Sequence, residues 1–190
     1  MGNISKIYKT GLVVGRFQIF HTGHEEIVRT ALALCKKTLL MIGSSQEAMT
    51  EKNPLSYEQR RGMISDIFKK EIDRGRLMIV PLPDIGAGNV PAWGNYVLEQ
   101  ATKALGEAPD LLVSGKEERR VNWFDGPDAQ VTELYVPKKI DVSATELRAA
   151  IINGDRAMWQ AYTNSSIASW FDTVRGAVVA SLGNTGTASL

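Results

Sequence analysis

Cysteine and histidine are scarce in this chain: its 190 residues include one cysteine, Cys35, and two histidines, His21 and His24. One cysteine allows no intrachain disulfide and no multi-cysteine metal site, and it suits a reducing compartment. No apolar run approaches the ~18 residues of a membrane-spanning helix. The opening Met-Gly-Asn-Ile-Ser-Lys-Ile-Tyr-Lys lacks the apolar stretch of a secretory signal. A soluble, cytoplasmic protein is therefore expected. An excess of one charge sign is also missing, since 22 Lys+Arg face 21 Asp+Glu for a net +1. Nothing in that balance recruits a nucleic acid or an anionic membrane, so any anion site must be local. Composition is otherwise ordinary, 44% hydrophobic and 23% charged, which excludes disordered, collagen-like and coiled-coil classes.

Two common nucleotide-binding motifs are absent as well. There is no Gly-x4-Gly-Lys-Ser/Thr loop, and Gly86-Ala-Gly88-Asn-Val-Pro91 has proline where a dinucleotide fingerprint needs its third glycine.

What is present is alternation. Residues 11–17, Gly-Leu-Val-Val-Gly-Arg-Phe, read as a buried parallel strand. From Thr22 the period changes: Ile27, Ala31, Leu34 and Cys35 share one helical face, with Glu25 and Glu26 early and Lys36 and Lys37 late, as the helix dipole favours. Further strands are expected at 39–43, 76–81, 111–114 and 132–136. Helices are expected at 56–70 behind a serine cap, at 91–105 with Pro91 in the first turn, and at 145–153, 156–162 and 165–174. This spacing implies right-handed crossovers and an α/β, Rossmann-like fold: a five-stranded parallel sheet with helices on both faces and a C-terminal helical extension. One domain is expected over residues 1–180, its helical C-terminal part at 143–176, followed by a flexible Gly/Ser/Thr-rich tail at 181–190.

Ligands of an open parallel sheet collect outside the carboxyl ends of the strands. The first such loop is Gly15-Arg16-Phe17-Gln18-Ile19-Phe20-His21-Thr22-Gly23-His24. A lone histidine is commonly a cap or a core residue. Here both imidazoles of the chain share one loop with Arg16, a glycine that admits close backbone approach, and a helix start whose free N–H groups attract phosphate. A zinc pair would want a third ligand at definable spacing, and none is evident, so no metal site is expected.

Gly15-Arg-Phe-Gln-Ile-Phe-His-Thr-Gly-His24 resembles the His-x-Gly-His signature of the nucleotidyltransferase α/β-phosphodiesterase superfamily, whose members transfer AMP or CMP and release pyrophosphate. Asp141-Val-Ser-Ala-Thr-Glu-Leu-Arg148 resembles its second signature. Gly-Arg-Phe-Gln, Gly43-Ser-Ser-Gln46 and Asn53-Pro54 together resemble the archaeal-type nicotinamide-nucleotide adenylyltransferases, including forms fused to a Nudix domain. The similarity spans about residues 10–175. Two positions depart from the pattern: Ile19 stands where proline is usual, and Lys52 where arginine is common, which keeps the charge and loses the bidentate fork.

The resemblance implies attack by the 5′-phosphate of nicotinamide mononucleotide (NMN) on the α-phosphorus of ATP, with Mg2+ riding on the triphosphate. It assigns catalysis to His21, His24, Arg16 and Arg148, and the ATP side to Gly15, Phe17, Gly23, Lys52, Ser143 and Thr145. Gln18, Asp84 and Trp93 take the NMN side, Trp93 by stacking on the ring. Asp84 is equally readable as a turn residue. A homo-oligomer is also implied. Two other readings stay open: the same chemistry on phosphopantetheine, FMN or glycerol phosphate, and a nucleotide-sensing module without turnover. Cys35 reads as inert core on helix one, Trp123, Trp159 and Trp170 as packing, and Lys116–Arg120 as a solvated face.

Overall fold

Apolar side chains on both faces of consecutive strands require cover on both sides. In the structure, a computed structural model describing residues 6–86, 91–115, 131–137, 139 and 142–184, the sheet has that cover. The strands are β1 (Tyr8–Gly15), β2 (Cys35–Gly43), β3 (Leu77–Leu82), β4 (Leu111–Ser114) and β5 (Thr132–Tyr135). They run parallel in the order β3-β2-β1-β4-β5. The chain moves outward from β1 to β3 and then returns to the other side of β1. The order therefore reverses between β1 and β4, where such sheets form their ligand crevice.

The helices are α1 (Thr22–Leu34), α2 (Tyr57–Ile67), α3 (Lys69–Asp73), α4 (Pro91–Leu105), α5 (Ala144–Ile152), α6 (Arg156–Tyr162) and α7 (Phe171–Ala180), the last entered through a 3-10 turn at Ser165–Trp170. On one face of the sheet Val13, Leu40 and Ile42 pack with Val28, Ala31, Ile64 and Phe68. On the other, Leu12, Val14, Leu39 and Met41 pack with Val97 and Ala101 of α4. A third cluster joins α5, α6 and α7 to two loop residues, Ile19 and Leu55. Each of these two is fully buried, a gain of about 1.5–3 kcal/mol per side chain that anchors both loops. Ile19, at the position where the resemblance expects proline, holds its loop by burial. No helix of the described residues is long and apolar enough to cross a membrane.

Three expectations are corrected. Helix α1 stops at Leu34, so Cys35 opens β2 opposite Tyr8, and Lys36 and Lys37 are strand residues. The cations at the helix's C-terminus come from afar: Lys6 Nζ donates to the Leu32 and Ala33 carbonyls at 2.7 Å, and Arg76 also donates to Leu32. The helix expected at 56–70 breaks at Phe68 into α2 and α3. At the start of the expected tail Ser181 is 1% exposed, and Asn184, itself exposed, is bonded to the backbone of Glu51 and Met49. Trp159 is buried. Trp170 lies over Gly62, where a Cβ would come within 2.7 Å of its ring, and it donates to Asp66. Trp123, Asp141 and residues 116–120 lie outside the described residues.

Candidate active site

His21 ends the loop after β1 and is the N-cap of α1, its Nδ1 accepting from the Gly23 N–H at 3.1 Å. A Cβ on Gly23 would meet that imidazole at 3.0 Å, so glycine is what lets the ring fold back onto the helix end. The Gly23 N–H expected to serve a phosphate is thus given to His21. With Nδ1 accepting, neutral His21 carries its proton on Nε2, as a donor. The His24 ring lies against His21 at a centroid distance of 3.9 Å, and Phe17 meets it edge-on at 5.1 Å.

Phe17 was expected on the ATP side, but its ring is 3% exposed and wedged against Gly15 and His24. With this ring Phe17 backs the imidazole. Its backbone is left-handed at φ 51°, as is Ser44 at 47°; each non-glycine residue so held costs on the order of 1–3 kcal/mol.

Gln18, expected on the NMN side, is buried as well. Its carboxamide is 4% exposed, donates to the Leu55 carbonyl at 3.1 Å and accepts from the Leu55 N–H at 2.9 Å. It clamps the loop after β1 to the segment entering α2. Its own carbonyl accepts from Arg148 Nη1 at 2.8 Å, while Arg148 Nη2 donates to Thr145 Oγ1 at 3.2 Å. The two signatures, 130 residues apart, therefore meet through one hydrogen bond. Ser143 caps α5 in a capping box with Glu146, so its hydroxyl serves the helix end.

Arg16 is exposed at the rim of this loop. Burial and then the charge of Arg16 lower the proton affinity of Arg148. The repulsion between these guanidiniums is the kind an anion relieves. A cleft of about 1220 Å³ is lined by Lys52, Asp84, Thr145 and Arg148 together with the 46–51 loop. The histidines, Arg16 and Trp93 do not line it. Asp84 accepts from the Gly86 N–H at 3.0 Å, the turn role. Trp93, in the first turn of α4, packs on the sheet and against Tyr96.

Two residues at the site were given no role by the sequence reading, Gln46 having entered only within the Gly43-Ser-Ser-Gln46 resemblance. Gln46 holds the loop after β3, donating to the Asp84 carbonyl at 3.0 Å and accepting from its N–H at 2.9 Å. Arg60 of α2 is fully buried. Its guanidinium donates to the carbonyls of Arg16 (2.8 Å), Gly43 (2.7 Å), Ser44 (3.1 Å) and Ser56 (3.1 Å). The available signal was a charged residue on the face that α2 buries with Met63 and Ile64.

Residues 12–78 match the cytidylyltransferase-like family model. The chain is 30% identical over 174 residues to the nicotinamide-nucleotide adenylyltransferase of Pyrococcus furiosus, covering 88% of this chain and 85% of that one. It is 28% identical over 169 residues to the Thermococcus kodakarensis protein of the same name, with 88% and 85% covered. Among solved structures, a bifunctional NMN adenylyltransferase/ADP ribose pyrophosphatase from Francisella tularensis superposes with a TM-score of 0.72 at 24% identity. That match covers 91% of this chain and 52% of the other, so this chain spans about half of the two-function protein. The fold agrees with that neighbour, and identity runs at this level along nearly the whole of the archaeal enzymes: the chain belongs to the nicotinamide-nucleotide adenylyltransferase family.

Proposed function

We propose that this chain joins ATP and NMN, giving NAD and pyrophosphate. The observation that carries the reading is the 2.8 Å bond from Arg148 to the Gln18 carbonyl, which ties the second signature to the loop that carries the histidines. The attacking 5′-phosphate is anionic near neutral pH, so no general base is required. General acid–base help is worth ~10²–10⁴ in rate, whereas positioning supplies ~7–11 kcal/mol and each well-aimed donor ~2.7–4 kcal/mol. Positioning and charge stabilisation carry the reaction.

In this proposal His21 Nε2 and His24 hold α- and β-phosphate oxygens, with His24 on the charge that develops at the reacting phosphorus. Arg16 and Lys52 neutralise phosphates, and Arg148 takes the β/γ end. Asp84, on the loop that Gln46 tethers, and Trp93, in the first turn of α4, belong to the nicotinamide side. Magnesium enters with ATP as part of the substrate; the described residues hold no group of three His, Cys, Asp or Glu side chains able to bind a metal themselves. The implied homo-oligomer belongs to the same proposal and is read by light scattering.

The test is incubation of the purified protein with MgATP and NMN, following NAD by alcohol-dehydrogenase coupling and pyrophosphate separately. NAD and pyrophosphate in equal amounts are expected. Turnover of another acceptor, with NMN and nicotinate mononucleotide both inert, overturns the reading in favour of a different nucleotidyltransferase. ATP binding without turnover of any acceptor makes the chain a sensor.

A further inference from the structure

Arg60 belongs to neither signature. Burying a guanidinium is costly unless its donors are satisfied, and a carboxylate partner is the usual compensation. Arg60 instead meets four backbone carbonyls, and no carboxylate among the described residues is within ion-pair reach of it.

The identity of those carbonyls is informative. The Arg16 carbonyl belongs to the peptide leading into Phe17, and the Gly43 carbonyl to the peptide leading into Ser44. These are the two non-glycine residues held left-handed just past the ends of β1 and β2. The strands pair in register, Gly15 opposite Ile42, so the turns are neighbours, and the single atom Nη1 donates to both carbonyls. A trans peptide directs its N–H opposite its carbonyl. By drawing two carbonyls toward itself, Arg60 sets the orientation of the Phe17 and Ser44 N–H groups and the point from which the Arg16 side chain departs.

We infer that Arg60 is a positioning residue for nucleotide binding, holding the two strained turns after β1 and β2 so that Arg16 and the 44–52 loop meet the triphosphate together. The inference rests on the adenylyltransferase reading. Burial and then the charge of Arg16 lower the proton affinity of both Arg60 and Arg148, against the opposing charges of Glu58 and Glu47 at Arg60 and of Glu51 at Arg148.

The test is a double-mutant cycle on the full chain with MgATP and NMN, using Arg60→Met, Arg60→Lys, Arg16→Met and the double variant Arg16→Met/Arg60→Met. Arg60→Met is expected to stay folded below its own transition and to lose about 30-fold in kcat/KM for ATP, with KM for NMN changed less than about threefold. Since Arg60 acts partly through Arg16, the double variant is expected to lose clearly less than the product of the two single losses. Ser44→Gly placed in Arg60→Lys is expected to recover about fivefold or more, because glycine adopts the left-handed turn without strain. A lowered Tm with kcat/KM within about threefold of wild type, or losses that simply add, would overturn the inference.

If Arg60→Met does not fold, Arg60→Lys with and without Ser44→Gly decides, and absence of recovery overturns it. Should the wild-type chain make no NAD, the proposed function fails on its own. Arg60 is then read from the Kd of the unreactive analogue α,β-methylene-ATP: about tenfold weakening in Arg60→Lys supports the positioning role, and unchanged binding removes it.

Discussion

The imidazoles of His21 and His24 stand face to face, their centroids 3.9 Å apart and their planes inclined by 31°. His21 is fixed by its cap bond to Gly23, and His24 is backed by Phe17 and Phe20. Two imidazoles are thereby held in place at a single helix end. That is the form of preorganisation on which charge stabilisation depends.

Substitutions at the two histidines should separate their roles. His24→Ala is expected to lower kcat by about 10²–10³-fold while changing the Kd of an unreactive ATP analogue less than about threefold. Equal losses in kcat and binding would assign His24 to ground-state binding. His21→Asn keeps a capping side chain and should keep its Tm while losing turnover, whereas His21→Ala should also lose about 1 kcal/mol of stability. Steady-state kinetics beside thermal unfolding read both effects.

Gln18→Leu should act on stability first. It leaves the buried N–H and carbonyl of Leu55 without the partners they have now, and two such groups cost about 2–4 kcal/mol together. Urea unfolding checks this. A loss below about 0.5 kcal/mol would mean that the segment re-pairs locally.

Gln46→Ala removes the tether on the Asp84 loop, two neutral hydrogen bonds at an exposed position. At ~0.5–1.5 kcal/mol each, their loss should raise KM for NMN by up to about tenfold and leave KM for ATP within about twofold. Parallel rises in both constants would place the loop on the shared triphosphate path instead.

Burial pushes the Cys35 thiol up from the usual 9.0 to about 11. Between those values the unfolded chain has released the proton and the folded chain still holds it, so stability falls as pH rises. The contribution is complete below pH 9 and is lost by about pH 11, worth about 2–3 kcal/mol at most. Urea midpoints at pH 8 and pH 10.5 should differ more for wild type than for Cys35→Ala. Equal pH dependence in the two proteins would show that other groups are responsible. The thiol should also resist aromatic disulfide reagents at pH 8 until the chain unfolds.

β1 to β4 could be read from apolar runs, because strands inside a covered sheet write a local, continuous signal, whereas β5, Thr-Glu-Leu-Tyr, is only partly buried. The junction of α1 and β2 could not. Cys35, Lys36 and Lys37 continue the helical period well enough, and what ends the helix is strand pairing with residues 8–10. The residues after Ala180 look like a loose tail by composition, yet Ser181 and Asn184 are tied into the fold by contacts with α7 and the 49–51 loop.

The site divides along the same line. The sequence by itself determined the parallel α/β class and the grouping of His21, His24 and Arg16 in one loop, because these rest on spacing within short segments, while Arg148 joined them only through the family resemblance. Only the tertiary structure decided how the side chains are used. Gln18 grips Leu55, Gln46 grips Asp84, and Arg60 gathers the carbonyls of Arg16 and Gly43 across separations of 37, 38, 44 and 17 residues. The physical reason is that a buried polar group takes whichever partner the folded backbone brings within about 3 Å. That partner is set by the packing of the sheet and helices, which no local pattern records.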